Sequence, residues 1–312
     1  MKLFDHRIAL LLCCTIFLCT ALSFQKHENN VFKETRHSFF IAGPDFTGII
    51  GENGETIWDS GRPGARDGFV LPNGNVLICW ADEVREYDSD KKIIFSYKKS
   101  APDNELGTAV RLDNGNTLIT ESGKQPRLLE LDQQALVKIS VPLLPETDNV
   151  HMQTRMARKL SSGNYLVPHL LAFKVKEYTP QGEVVKSFHT DLVELGGRAA
   201  ENWPFTAIRL KNGNTVVSLT HGNKVVEMNP EGKIVWQVSN NDFKEKLLQD
   251  PCGVQRLPNG NTVIASYGAN KGVRLFEVDK KKNLVWSYSG HRVHDFQILS
   301  TNGKPLRERP LK

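Results

Sequence analysis

Cysteine is scarce in this chain, and three of the five, Cys13, Cys14 and Cys19, sit at the extreme N-terminus. Only Cys79 and Cys252 remain, too few for a disulfide-framed scaffold. There is no Cys-x-x-Cys or His-Glu-x-x-His pattern, so no zinc centre is expected. His291-Arg-Val-His294 has an i, i+3 spacing that ligates on a helix, but this segment reads as a loop entering a strand. No metal site is therefore predicted. Also missing are a Gly-x-Ser-x-Gly elbow, a phosphate loop and a dinucleotide fingerprint. No stretch beyond the N-terminus has sustained helical periodicity, which excludes helical bundles and α/β folds. Charge of one sign is in small excess: 40 Lys and Arg against 35 Asp and Glu, with lysines scattered over turns such as Lys280-Lys-Lys282. Without an aromatic-interleaved basic stripe, no nucleic-acid partner is expected.

The longest apolar run, Ile8–Leu22, is too short for a comfortable membrane span and suits a signal-peptide core. Thr20-Ala-Leu-Ser23 supplies an Ala-x-Ser cleavage site. Residues 1–23 are read as a signal peptide, 24–38 as a flexible polar lead-in and 39–312 as one domain. The mature protein is expected to be secreted or periplasmic, monomeric and without a membrane span.

What the sequence has in abundance is a repeat. It reads Leu71-Pro-Asn-Gly-Asn-Val-Leu-Ile78, Leu112-Asp-Asn-Gly-Asn-Thr-Leu-Ile119 and Leu160-Ser-Ser-Gly-Asn-Tyr-Leu-Val167. Leu210-Lys-Asn-Gly-Asn-Thr-Val-Val217 and Leu257-Pro-Asn-Gly-Asn-Thr-Val-Ile264 follow, then a degenerate Leu299-Ser-Thr-Asn-Gly-Lys-Pro-Leu306. The central glycines are separated by 41, 48, 50, 47 and 43 residues, a period suited to four-stranded blades. Asn-Gly between two apolar runs predicts a type I′ hairpin, with both turn residues at positive φ. In the fourth unit the strands are read as Thr206–Leu210, Thr215–Leu219, Val225–Asn229 and Lys233–Val238. The fourth strand often carries a large aromatic, as at Phe95, Trp236 and Trp286. Phe39–Ala42, Gly48–Gly51 and Thr56–Trp58 look like a blade lacking its first strand, and His294–Leu299 like the missing strand. The expected fold is all-β, a six-bladed β-propeller of four-stranded antiparallel blades, its last blade closed by both termini. Cys79 and Cys252 then fall in non-adjacent blades and read as buried small hydrophobes rather than a disulfide.

In such a ring the Asn-Gly-Asn turns share one face. The loops entering each blade, and those between second and third strands, share the other, where ligand sites are expected around the channel. The entry segments contribute Arg66, Asp67, Glu105, His151, Gln153, Arg155, Trp203, His291 and His294. The loops between second and third strands contribute Trp80, Glu121, His169, His221 and Tyr267. Five of the nine histidines lie in this set. Arginine offers bidentate contacts to carboxylate or sulfate, and Trp and Tyr offer flat faces for sugar rings. The alternation His151-Met-Gln-Thr-Arg155 predicts that His151, Gln153 and Arg155 share one strand face lining the channel.

The phrase Leu257–Ile264, together with Glu227-Met-Asn-Pro-Glu-Gly-Lys-Ile-Val-Trp236, resembles the repeats of pyrroloquinoline-quinone-like and bacterial arylsulfotransferase-like propellers. The resemblance covers nearly the whole mature chain and implies the fold; its residues are turn and docking residues and imply little about function. Quinone enzymes of that superfamily have eight blades and a vicinal disulfide. Neither has a counterpart here, so pyrroloquinoline quinone is not expected, and no cofactor is predicted. His294-Asp295 resembles the His-Asp entry segments of the sulfotransferases, without a catalytic role carried over.

Two functional readings follow. The first is a binding propeller that grips a carbohydrate or other polar or anionic small molecule on its loop-rich face. The alternative is an enzyme on that face, a lyase, glycoside hydrolase or arylsulfotransferase-like protein. His151 or His294 would then be the acid/base or nucleophile, with Arg155 or Arg66 holding the anion.

Overall fold

The first blade of the ring is four antiparallel strands, Asp67–Val70, Val76–Cys79, Glu83–Tyr87 and Ile93–Lys98. The computed structural model describes Glu34–Lys312, so the expected signal segment lies outside the described residues. Four further blades repeat the plan, with first strands Glu105–Arg111, Arg158–Lys159, Asn202–Arg209 and Pro251–Arg256. The sixth joins the two ends of the described chain. Asp295–Thr301 pairs with His37–Ala42, followed by Thr47–Ile50 and Thr56–Asp59. The fold is thus a six-bladed β-propeller closed by backbone pairing between N- and C-terminal strands. Strand pairing begins at His37, inside the segment read as lead-in, because His37 is buried against the fifth blade.

A twisted four-stranded blade has two apolar faces and can bury them only against its neighbours. Six buried clusters result, one at each junction between adjacent blades, and a seventh of Met156, Leu170, Phe205 and Cys252 lies where the third, fourth and fifth blades meet. Leu166, Val175 and Phe188 pack on Ala207, Val217 and Val226, for example. Cys79 and Cys252 are both buried, form no disulfide among the described residues, and belong to separate clusters.

The turns differ from the expected type I′. Gly74 has φ of 88° while Asn73 does not enter the left-handed region. The Leu71 N–H donates to the Asn75 carbonyl and the Gly74 N–H to the Leu71 carbonyl. This is a three-residue loop, a type I turn closed by a left-handed glycine, and it recurs at Gly115, Gly163, Gly213 and Gly260. Asn73 instead uses its side chain, accepting from the Asn75 N–H at 3.1 Å. A two-residue turn with both residues at positive φ occurs at the degenerate copy, Asn302-Gly303 (φ 51° and 77°).

The second asparagine of each repeat points sideways into a junction. Asn75, Asn116, Asn164, Asn214 and Asn261 donate to Glu86, Glu130, Glu177, Glu227 and Glu277 on the third strand of the same blade. Each glutamate is buried and accepts a second bond from the next blade: Arg111, Lys159, Arg209, Arg256 and His37 in turn. The fourth-strand aromatics cover three of these cations: Arg111 over Phe95, Arg209 over Phe188 and Arg256 over Trp236, at 5.3–5.7 Å. His37 meets Trp286 edge-on at 4.7 Å. The sixth junction departs from the pattern: the Gln297 side chain bridges both polar groups of Val70.

Breaking one relay leaves a buried carboxylate without its cation. Arg256→Met should lower the unfolding free energy by ~3 kcal/mol. Lys211→Met, which removes a solvent-exposed pair with Glu308, should leave it unchanged. Equal midpoint shifts in urea for the two variants would contradict the role given to the relay.

Candidate functional site

The loop-rich face opens into a cavity of about 290 Å³ at the mouth of the central channel. Its wall is supplied by entry segments (Gly64–Arg66, His151, Met152, Arg155, Trp203, Phe205, Asp250, Cys252 and His294) and by second-to-third loops (Pro44, Leu170, His221 and Tyr267). The Asn-Gly-Asn turns 112–114, 160–163 and 210–211 line the opposite mouth. The two-face division read from the repeat is therefore the geometry observed.

Arg66, His151, Arg155, Trp203, His221, Tyr267 and His294 meet in this one cavity. Glu105 stands at its rim and accepts from Arg66 at 2.7 Å and from His151 Nδ1 at 3.1 Å. Those bonds, His151's first, hold the Glu105 carboxyl down to about 2. Arg155 is 3% exposed. Its guanidinium donates to the backbone carbonyls of Thr154 and His151, and among the described residues no carboxylate pairs with it. Burial first, and the nearby Arg66 charge second, pull its pKa down to about 10, so it stays protonated at neutral pH.

His294 is held between Phe205 and Tyr267, whose rings meet it edge-on at 4.9 and 5.1 Å. Its Nδ1 lies 2.8 Å from the Arg66 carbonyl, which can only accept, so Nδ1 carries the proton and Nε2 the lone pair. Burial, with Arg155 and Arg66 adding repulsion, pulls its pKa down to about 3. The ring is neutral at physiological pH. Burial pushes the Cys252 thiol well up, which removes it as a nucleophile.

One side of the cavity is backbone held in an unfavourable conformation. His221, Asn223, Glu201 and Asp250 all have positive φ, between 47° and 57°, without being glycine. They hold one another in place. His221 Nδ1 bonds Glu201 at 3.2 Å, the His221 N–H donates to Asp250 at 3.1 Å, and the Asp250 N–H donates to Asn223 at 2.8 Å. The result stacks the His221 ring on Trp203 at 4.2 Å.

The other expected residues lie elsewhere. His151, Gln153 and Arg155 do not share a strand face, because Val150–Met152 forms a 3-10 turn and the strand begins at Arg158. Gln153 turns away and bonds both polar groups of Gly123. Trp80 is buried between the first and sixth blades, its indole N–H donating to the Pro63 carbonyl. Glu121 is buried in a network with Tyr97, Asn104 and Arg127. His169 is buried against the Tyr178 hydroxyl at 2.8 Å. His291 stacks on Phe46 at 4.3 Å, outside the cavity. Asp67 lies below the floor, in contact with Arg158 and Lys312. Sequence reasoning overlooked the apolar floor of Met152, Leu170 and Phe205. Phe205 was signalled by its i+2 spacing from Trp203 within one strand. Among the described residues no cluster of His, Cys, Asp and Glu is arranged to hold a metal ion.

Among solved structures, the chain is similar to a Bacteroides caccae protein of unknown function, with TM-score 0.74 and 22% identity, covering 88% of this chain and 100% of that one. A streptogramin B lyase matches with TM-score 0.58 and 12% identity over 83% and 85% of the two chains. A catalytically inactive variant of virginiamycin B lyase from Staphylococcus aureus, with quinupristin, matches with TM-score 0.54 and 12% identity over 74% and 71%. At these identities the likeness shows the fold alone. No curated protein matches the sequence. Of the resemblance expected from the repeats, the β-propeller is shown. The Mal s 1 allergenic protein-like family matches residues 21–249, close to three quarters of the sequence, and the chain belongs to that family.

Proposed function

We propose that the cavity on the loop-rich face binds a small anionic ligand, a sugar acid, sulfated sugar or comparable polar molecule, in a secreted or periplasmic protein. The observation that carries this reading is Arg155. A guanidinium removed from water without a carboxylate partner costs folding free energy unless an anion completes it. Arg66 stands beside it, paired with Glu105, and its charge raises the cost of leaving Arg155 without an anion. The stacked Trp203 and His221 and the Tyr267 ring supply flat surface for the body of a ring-shaped ligand. Strain at His221, Glu201 and Asp250 fits a site whose geometry is set for a ligand rather than for stability. No metal or cofactor is part of this reading.

A second reading is supported by a specific pair. His151 Nδ1 meets Glu105 at 3.1 Å on a wall that also carries both arginines, leaving Nε2 for a substrate proton. The folds compared include lyases, so proton abstraction beside an arginine-held anion is the enzymatic alternative. His294 suits it less, because its low basicity makes it an acceptor rather than a base at neutral pH.

A thermal-shift screen of sulfated, uronic and neutral sugars, with and without chelator, tests both readings. Anionic members should raise the melting temperature equally in chelator. Arg155→Met should reduce their affinity at least about tenfold, the loss of a charge-assisted contact, without lowering the ligand-free melting temperature. His151→Ala should weaken binding less, and should abolish product formation by mass spectrometry if the protein is an enzyme. A shift that survives both substitutions would place the ligand elsewhere.

His294 gives a pH prediction. A histidine neutral in the folded state binds its proton on unfolding, so its contribution is intact above about pH 6.5 and is lost as pH falls towards about 3. Its ring resonances should not titrate between pH 5 and 8. A midpoint inside that range would contradict the burial and tautomer described.

A further inference from the structure

Below the cavity, the channel is closed by the chain's own C-terminal segment. Residues 306–312 cross the Asn-Gly-Asn face, where the Arg256 N–H donates to the Leu311 carbonyl. Lys312 then enters the channel and is 1% exposed, its ammonium 4.1 Å above the Phe69 ring. That ammonium contacts two buried carboxylates, Asp67 at 3.3 Å and Asp295 more closely. The second cation is Arg158, which reaches Asp67 at 3.1 Å and Thr108 at 2.8 Å and donates to the Lys312 carbonyl. Two cations, Lys312 and Arg158, therefore face the two buried carboxylates of Asp67 and Asp295. Gly253 leaves the room needed: a Cβ there would lie 2.7 Å from Asp295 Oδ1.

The two carboxylates occupy particular places in the sequence. Asp67 follows Arg66, and Asp295 follows His294, the arginine and histidine of the cavity above. Those two are joined by the bond from His294 Nδ1 to the Arg66 carbonyl, and the Gly253 N–H donates to the His294 carbonyl. Anything that displaces Asp67 or Asp295 must displace the peptide units that carry Arg66 and His294.

We infer that Lys312 is a positioning residue for the cavity, holding Arg66 and His294 in register from beneath by neutralising Asp67 and Asp295. The proposal rests on the anion-site reading for its functional consequence but not for its structural one. With Lys312 gone, two carboxylates share one cation in low dielectric, and repulsion must be relieved by protonation or displacement. Burial and the neighbouring Asp67 charge already raise the Asp295 pKa.

The test compares wild type, Lys312→Met and the charge-compensated Lys312→Met/Asp295→Asn, each as the full chain. The first readout is ligand-free: the His294 ring and Arg66 amide resonances. They should move in Lys312→Met and return towards wild type in the double variant. The second readout is affinity for glucuronate and inorganic sulfate, which should fall about tenfold in the single variant and recover in the double, within the range of coupling between contacting groups. Unmoved resonances in a folded Lys312→Met would overturn the proposal. If that variant does not fold, a folded double variant with wild-type His294 and Arg66 resonances supports the charge-balance account, and displaced resonances there overturn it. If wild type binds neither probe while the resonances still move, the positioning role stands and the anion-site reading falls.

Discussion

The ring depends on a carboxylate that belongs to one blade and is neutralised by the next. Glu86, Glu130, Glu177, Glu227 and Glu277 are each held at one side by an asparagine of their own blade and at the other by an arginine, lysine or histidine of the neighbour. Apolar packing alone would let adjacent blades slide, since hydrophobic contact is non-directional. A buried ion pair with a fixed hydrogen-bond partner is directional and expensive to misplace. Where the chain closes, the partner is a histidine, His37, whose Nε2 lies 2.7 Å from Glu277 and which is delivered by the strand that completes the sixth blade.

With the junctions held at one face, the other face is free to carry irregular backbone. The left-handed residues Glu201, His221, Asn223 and Asp250 sit there, and so does the buried guanidinium of Arg155, which meets no carboxylate among the described residues. These features cost stability locally and are tolerated because the blades below them are over-determined. Between the two faces the channel holds two buried carboxylates, Asp67 and Asp295, facing two cations, Arg158 and Lys312.

The architecture was legible because each blade repeats the same turn and the same period. The composite blade could be read because its strands were left over at both ends. The turn type was misread. Asn-Gly in isolation favours two left-handed residues, but here the Leu71 N–H pairs with the Asn75 carbonyl, so the loop has three residues, glycine alone is left-handed, and the asparagine serves as a side-chain acceptor. Half of the candidate site converged as expected, because loop position in a propeller decides who faces the channel mouth. Trp80, Glu121 and His169 did not, since Glu121 and His169 lie inside second strands and Trp80 directly follows one, where each side chain is buried. His151 and Gln153 diverged because a 3-10 turn rotates successive side chains by about 120°. The role of Lys312 had no sequence signal, because a solitary lysine after a proline-containing tail looks the same whether it is solvated or buried.

If the repeat marks the scaffold face, ligand enters by the opposite mouth. Hydrogen exchange with and without a saturating anionic sugar from the screen tests it directly. The account predicts slowed exchange at residues 64–66, 151–155, 203–205, 220–221, 267 and 294, with the Asn-Gly-Asn turns unchanged. Protection confined to 112–114, 160–163 and 210–211, around the other mouth, would contradict it.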